Sequence, residues 1–139
     1  MRDFWLDTAR GLAAESVRSI EEAARQVIAI ASLAQAVYFA AVSFGGVRAA
    51  VALYSAGERA IIALALVSPL LCWVISLVFA IRVFKPETYQ TNLDAPDQAE
   101  SFVREVVGYK RRQLQSAYWY LVLGFAPLIA NVVLVFVIF

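Results

Sequence analysis

The sequence has no histidine and a single cysteine, Cys72, among its 139 residues. The lack of histidine excludes metal sites built on imidazole and catalytic triads that use a histidine base. A single cysteine excludes a disulfide within the chain. The formal net charge is only +1, so bulk attraction to nucleic acid or to anionic lipid is not expected, and only local patches can act in that way.

Charged residues are also absent from three long stretches, which together make up almost half of the chain. Residues 27–47, 60–81 and 117–139 contain 21, 22 and 23 residues without a charge. About 20 apolar residues cross the hydrocarbon core of a bilayer, and only a helix or a closed barrel satisfies the backbone there. We therefore predict an all-α membrane protein with three transmembrane helices, which we call the first, second and third spans.

No acidic residue lies inside a span, which disfavours a proton-coupled transporter, because that class usually needs an acid near the middle of the bilayer. The acids of the polar region after the second span have no recognisable spacing and no histidine or cysteine beside them. They are Glu87, Asp94, Asp97, Glu100 and Glu105. We interpret them as a solvated loop and predict that the protein is not an enzyme and uses no cofactor or metal.

The cationic residues indicate the orientation. Ten of the 12 lie before the first span or between the second and third spans, and only Arg48 and Arg59 lie in the other loop. With three spans, the region before the first span and the region between the second and third spans lie on the same side of the membrane. The positive-inside rule makes that side cytoplasmic. We expect the N-terminus in the cytoplasm and Phe139 at the outer face, with the aromatic residues Tyr118, Trp119 and Tyr120 at the cytoplasmic interface.

Residues 1–26 have the pattern of a cytoplasmic amphipathic helix. Acids among its first residues also disfavour a secretory signal. Ser19 and Glu22 have the spacing of a capping box, which predicts a fresh helix from Ser19 into the first span; one unbroken helix is the alternative. Apolar residues recur at helical spacing, with most charges elsewhere: Leu6, Ala9, Ala13, Val17, Ile20 and Ala24.

Residues 27–139 are predicted to form the three-helix transmembrane domain, with a cytoplasmic loop and stem at 82–116. Pro86 and Pro96 resist a continuous helix, so the loop begins as an irregular segment. Apolar residues then return at helical spacing, which predicts a cytoplasmic stem from about Asp97 that continues into the third span.

The second span carries small residues at four-residue steps, at Ser68, Cys72 and Ser76, continued by Ala80. Such a stripe allows helix backbones to approach closely. Pro69 is expected to kink this helix.

The densest cationic cluster is Lys110, Arg111 and Arg112, with Arg104 about two turns earlier. In an oligomer, stems carrying these four residues would form a basic ring that could bind the phosphates of a nucleotide or oligonucleotide. The alternative is a topology anchor that touches lipid headgroups, because every protein of this orientation carries cations there.

Polar residues inside the spans are candidates to line a pore. Asn131 shares a face of the third span with Gly124, and Gln35 lies with Ser32 in the first span. The alternative is hydrogen bonding between helices of the bundle. Three spans enclose no wide pathway alone, so a pore requires several subunits, most simply in a ring.

Two segments carry a resemblance to a known group. One reads Phe-Ala-Ile-Arg-Val-Phe-Lys-Pro from Phe79 to Pro86, and the other reads Tyr-Lys-Arg-Arg-Gln-Leu-Gln-Ser-Ala from Tyr109 to Ala117. With the second and third spans, this pattern resembles small prokaryotic antiviral membrane effectors: the Pycsar transmembrane effectors, the SLATT domains and the Hailong membrane effector.

The resemblance implies a homo-oligomer in the prokaryotic cytoplasmic (inner) membrane. In that group a nucleotide signal from a partner nucleotidyltransferase or cyclase controls the effector, which then impairs the membrane. We therefore expect a nucleotide- or oligonucleotide-gated ion channel in anti-phage defence, with membrane lipid and further copies of itself as partners. The alternative is a non-conducting adaptor that docks a cytoplasmic partner through its N-terminal helix and stem.

Overall fold

A computed structural model describes the backbone of residues 2–44, 46–85 and 96–138, and most side chains between residues 11 and 133. These residues form helices and no strand. The helices are α1 (Arg2–Phe44), α2 (Val47–Val51), α3 (Ala56–Arg82) and α4 (Pro96–Ile138). Three of them, α1, α3 and α4, are long and apolar enough to cross a membrane. The predicted all-α fold with three membrane-spanning helices is confirmed at this level.

The three long helices pack as a bundle in which α1 and α4 run in the same direction and α3 runs against them. Glu21 of α1 pairs with Lys110 of α4, and Tyr38 lies beside Asn131 further along the same two helices. Residue numbers therefore rise together along both helices. The Ser76 side chain reaches the Ala117 carbonyl, and α3 and α4 share the most extensive contact.

Helix α1 is continuous, so the helix start predicted at Ser19 is wrong and the alternative of one unbroken helix is correct. Ser19 is an exposed residue inside the helix. The reason is that the apolar residues keep to one face of the helix. Ile20, Ala24, Val27 and Ala31 are separated by four, three and four residues. This stripe keeps one face toward the bundle across residue 26, where the two predicted domains meet. The side chains of Leu6, Ala9 and Ala13 lie outside the described residues.

Helix α4 begins at Pro96, one residue before the predicted start, and runs 43 residues without a break. Proline fits the first position of a helix, because its missing N–H has no partner there in any case. A helix of this length extends about 65 Å, more than twice the roughly 30 Å hydrocarbon core. The predicted stem and third span are thus one helix. The irregular segment was predicted over residues 85–96: Lys85 lies beyond the end of α3, Pro96 is already helical, and residues 86–95 lie outside the described residues.

The contact between α3 and α4 depends on one large side chain and several small ones. Trp73 is fully buried, and its indole lies directly over Gly124. The small residues Ser76 and Ala80 of α3 are also fully buried, beside Ala117 of α4. Part of the stripe predicted in the second span therefore packs between helices of one chain.

Candidate functional site

The basic cluster of α4 is divided among three directions. Lys110 turns toward α1, while Arg111 and Arg112 are exposed, as is Arg104 about two turns earlier. Successive residues of a helix point about 100° apart, so three consecutive cations cannot share one face. A ring of identical subunits would therefore present Arg104, Arg111 and Arg112 more readily than Lys110.

The ammonium group of Lys110 forms a salt bridge with the Glu21 carboxylate, with Nζ 2.5 Å from Oε1. The two side chains are 15% and 33% exposed, so water screens the pair only in part. This ion pair joins the N-terminal half of α1 to the stem. No local pattern in the sequence points to Glu21, because the contact spans 89 positions and depends on how the helices pack.

A groove of about 510 Å³ lies between α1 and α4, just beyond this ion pair. Arg111, Gln115 and Gln26 line one part of it. The part further along both helices is apolar, with Ile30 and Leu121 in its wall. The groove therefore changes from polar and cationic to apolar along the direction in which the chain enters the membrane.

A second polar site lies within the spans, where all three long helices meet. Asn131 of α4 donates its Nδ2 to the Ala65 carbonyl at 3.0 Å and to Tyr38 Oη at 3.3 Å. Tyr38 of α1 in turn donates its hydroxyl to the Leu66 carbonyl at 2.8 Å. We call Tyr38, Asn131 and the two α3 carbonyls the polar junction.

Pro69 explains why α3 has a carbonyl available at this place. Proline has no N–H, so the carbonyl four residues earlier, that of Ala65, lacks its usual helical partner. Asn131 and Ser68, whose Oγ lies 2.8 Å from the same oxygen, both donate to it. Freed backbone groups in membrane helices are commonly satisfied by such side chains. The helix continues through Pro69 from Ala56 to Arg82.

The residues predicted to line a pore are not brought together. Gly124 is buried under Trp73, and Asn131 is occupied in the polar junction. Gln35 is half-buried on the inner side of α1, whereas Ser32 is exposed on its outer side. Within one chain, therefore, Gly124 and Asn131 serve helix packing, and Ser32 is the member of the set that an adjacent subunit could meet directly.

One buried atom of this set has no hydrogen-bond partner among the described residues: Nε2 of Gln35. An unsatisfied polar atom in a membrane span is costly, so such a side chain is expected to face protein or water. On the stem, Oε1 of Gln113 also has no hydrogen-bond partner among the described residues. Two amide groups on the bundle interior thus retain unused hydrogen-bonding capacity.

The described part of the chain contains no group of three or more His, Cys, Asp or Glu residues that could hold a metal ion. Cys72 is a half-buried free thiol on α3. The described residues can therefore form ion pairs at the basic cluster, hydrogen bonds at the polar junction and apolar contacts along the groove.

Comparisons of the chain with protein families, with curated proteins and with solved structures found no match.

Proposed function

We propose that the protein is the subunit of a homo-oligomeric membrane effector, a nucleotide- or oligonucleotide-gated ion channel that impairs the membrane in anti-phage defence. A partner nucleotidyltransferase or cyclase supplies the signal. The protein lies in a prokaryotic inner membrane with its N-terminus in the cytoplasm and its C-terminus outside. The proposal rests on the resemblance of residues 79–86 and 109–117 to effectors of that class, and on the placement of the cationic residues.

The observation that carries the gating mechanism is that the basic cluster and Asn131 belong to one unbroken helix. From Lys110 to Asn131 the helix rises by about 32 Å. A stem that tilts or rotates therefore moves the third span with it. Asn131 is held to α1 and α3 by the polar junction, so the same movement changes contacts inside the membrane.

Lys110 can exist in two states, and a ligand that binds one of them more tightly shifts the equilibrium toward it. In one state the Glu21 carboxylate binds Lys110, and in the other a phosphate of the ligand replaces Glu21 at Lys110, while Arg111 and Arg112 attract the ligand from the neighbouring faces of the helix. A phosphate favours the second state, because only there does it gain the Lys110 ammonium group as a partner. Release of Glu21 then frees the cytoplasmic part of α1 from the stem.

Ion flux through liposomes tests this proposal, with a panel of cyclic nucleotides and short oligonucleotides added at the cytoplasmic face. We expect one ligand to switch the flux. Replacing Lys110, Arg111 and Arg112 together with Gln should abolish both the response and ligand binding. The control is Arg18→Gln, which removes an exposed cation from α1. Unchanged ligand binding by the triple variant would show that the basic cluster does not sense the ligand.

Orientation is tested separately with single cysteines in a Cys72→Ser background. An impermeant maleimide added outside intact cells should label Arg59→Cys and leave Arg112→Cys unlabelled. The reverse pattern would place the basic cluster outside the cell and end the proposal of a cytoplasmic signal.

The second candidate is a non-conducting adaptor that docks a cytoplasmic partner through α1 and the stem. The observation that favours it is the use of Gly124 and Asn131 in packing within one chain. An adaptor predicts no ion flux from folded, correctly oriented protein under any ligand, and a stoichiometric partner that co-purifies from the native host.

A further inference from the structure

We propose that the groove between α1 and α4 is a binding site for a phospholipid with an anionic headgroup. Arg111 would hold the phosphate, and one acyl chain would lie along Ile30 and Leu121. The site shares Arg111 with the cluster proposed to sense a nucleotide, but it extends into the apolar part of the groove and does not depend on ion conduction.

The shape of the groove fits an elongated amphipathic molecule. Its volume of about 510 Å³ falls within the roughly 300–1,000 Å³ usual for small-molecule sites. From Arg111 to Leu121 the helix rises by about 15 Å, which is half of the hydrocarbon thickness of a bilayer. The groove thus spans the headgroup region and the first turn inside the hydrocarbon, with its cationic end toward the cytoplasm.

The level of the membrane surface is marked independently by exposed aromatic side chains. Tyr118 and Trp119 of α4 are 55% and 63% exposed, and such side chains collect at the interface between lipid and water. Arg111 lies about 10 Å to the cytoplasmic side of Tyr118, where an arginine side chain can reach toward headgroup phosphates. Leu121 lies on the hydrocarbon side of the same marker.

The charge of the groove selects an anion. Among the described residues that line it, Arg111 is the single formally charged one, and no acidic residue lines it. Its guanidinium can bind two phosphate oxygens at once, and Gln26 and Gln115 add neutral hydrogen-bonding groups nearby. A water-soluble phosphate would use only this end, whereas a phospholipid also fills the apolar part.

A lipid in this position would touch both α1 and α4. The same two helices are joined by the ion pair between Glu21 and Lys110, next to the cationic end of the groove. A bound lipid would therefore add a second contact that keeps α1 beside the stem, and its binding should slow any separation of the two helices.

Native mass spectrometry of the purified protein tests the site. Phosphatidylglycerol and phosphatidylcholine with identical acyl chains are added in equal amounts. The retained lipid is identified from the mass of the protein–lipid complex. We expect the wild-type protein to retain phosphatidylglycerol in preference. Arg111→Gln should reduce that preference about tenfold, because a hydrogen bond between charged groups is lost.

Arg112→Gln is the matched control for charge, because Arg112 is also exposed and is adjacent to Arg111 but does not line the groove. A second pair tests the apolar part: Ile30→Trp fills the groove, whereas Leu33→Trp adds the same bulk at a lipid-facing position of α1 outside it. We expect Arg112→Gln and Leu33→Trp to retain lipid as the wild type does, and Ile30→Trp to lose it.

Three results would overturn the proposal. Equal losses from Arg111→Gln and Arg112→Gln would show general charge attraction with no site. Displacement of phosphatidylglycerol by free glycerol phosphate at similar concentration would show a site for soluble anions. A second copy of the chain bound in place of lipid, and lost in Ile30→Trp, would show that the groove is a subunit interface.

Discussion

The contact between α3 and α4 is more extensive and more tightly packed than the contacts that hold α1. Trp73 covers Gly124 and meets the rings of Tyr38 and Phe125 at centroid distances of 5.9 and 5.5 Å. Shape complementarity of this sort is the main source of helix association where lipid removes the hydrophobic driving force. Helix α1 supplies Tyr38 to this cluster and Val27 and Ala31 to the apolar core, but its contact with the other two helices is less extensive. It also makes polar contacts at two places, Glu21 with Lys110 and Tyr38 with Asn131.

This difference indicates which helix moves. Close packing of large against small side chains has one arrangement and resists deformation, so α3 and α4 form a stiff hairpin. The ion pair of α1 is partly exposed, so it can be exchanged for contacts with water, a ligand or another subunit, whereas the hydrogen bonds between α3 and α4 are buried. Helix α1 is therefore the element expected to change position, and the following predictions test that division in order of decreasing effect.

Replacing Trp73 with Ala should have the largest effect, because it removes a fully buried side chain from the centre of the hairpin. We expect a loss of about 3–5 kcal/mol in the free energy of unfolding, as for a large-to-small change in a packed core. Unfolding in detergent followed by circular dichroism measures it. Trp119→Ala is the control, because Trp119 is 63% exposed; equal losses from both variants would contradict the stiff hairpin.

Gly124→Ala should come next. A Cβ at position 124 would lie 2.4 Å from Nε1 and 2.6 Å from Cδ1 of Trp73, so the indole or the helices must shift. We expect the free energy of unfolding to fall by about 1–3 kcal/mol.

Gly108→Ala is the matched control in the same helix, because a Cβ there meets nothing within 4 Å. Alanine is the better helix former, so this variant should gain about 0.5–1 kcal/mol. Opposite signs for the two substitutions would confirm close packing at position 124, and a gain from both would refute it.

Asn131→Leu tests the attachment of α1 within the membrane. It removes the donor to Tyr38 and to the Ala65 carbonyl, and we expect a loss of about 0.6–2 kcal/mol. In a Pro69→Ala background the loss should shrink, because residue 69 then supplies an N–H to the same carbonyl. A double-mutant cycle measures the coupling, and strict additivity would show that Asn131 does not serve the carbonyl freed by Pro69.

Glu21→Gln should have the smallest effect on stability, about 0.2–1 kcal/mol, because the ion pair with Lys110 is only partly buried. The loss should diminish in high salt, which screens the pair. Glu22→Gln, at the exposed neighbouring position, is the control. A salt-independent loss, or the same loss from both variants, would show that the ion pair does not attach α1 to the stem.

The sequence predicted the helices better than their contacts. Long uncharged runs and helical spacing identify the three membrane-spanning helices and the stem that continues into the last one. The error at Ser19 arose from a local signal, a serine three residues before a glutamate, which the continuous apolar face of α1 overrides. The same signal, at Ser55 and Glu58, does mark the start of α3, where the Glu58 carboxylate accepts the Ser55 backbone N–H at 2.9 Å.

The candidate sites could be predicted only in part. Composition identifies Asn131 and the basic cluster, but their partners Tyr38 and Glu21 are 93 and 89 positions away. Arg111 lines the groove and Arg112 does not, because of how α4 is rotated against α1. No local sequence pattern predicts that rotation. One signal was available: a proline in a span frees the carbonyl four residues earlier, so Pro69 pointed to Ala65 as an acceptor.

The carbonyl of Ala65 also has a consequence for how the protein is made. Asn131, which donates to it, is synthesised 66 residues later, and domains and segments emerge from the ribosome in N- to C-terminal order. Until the last span arrives, Ser68 is the side chain within α3 that donates to this oxygen. Ser68 can therefore satisfy this oxygen while α3 enters the bilayer, and it shares the oxygen with Asn131 once the last helix is in place.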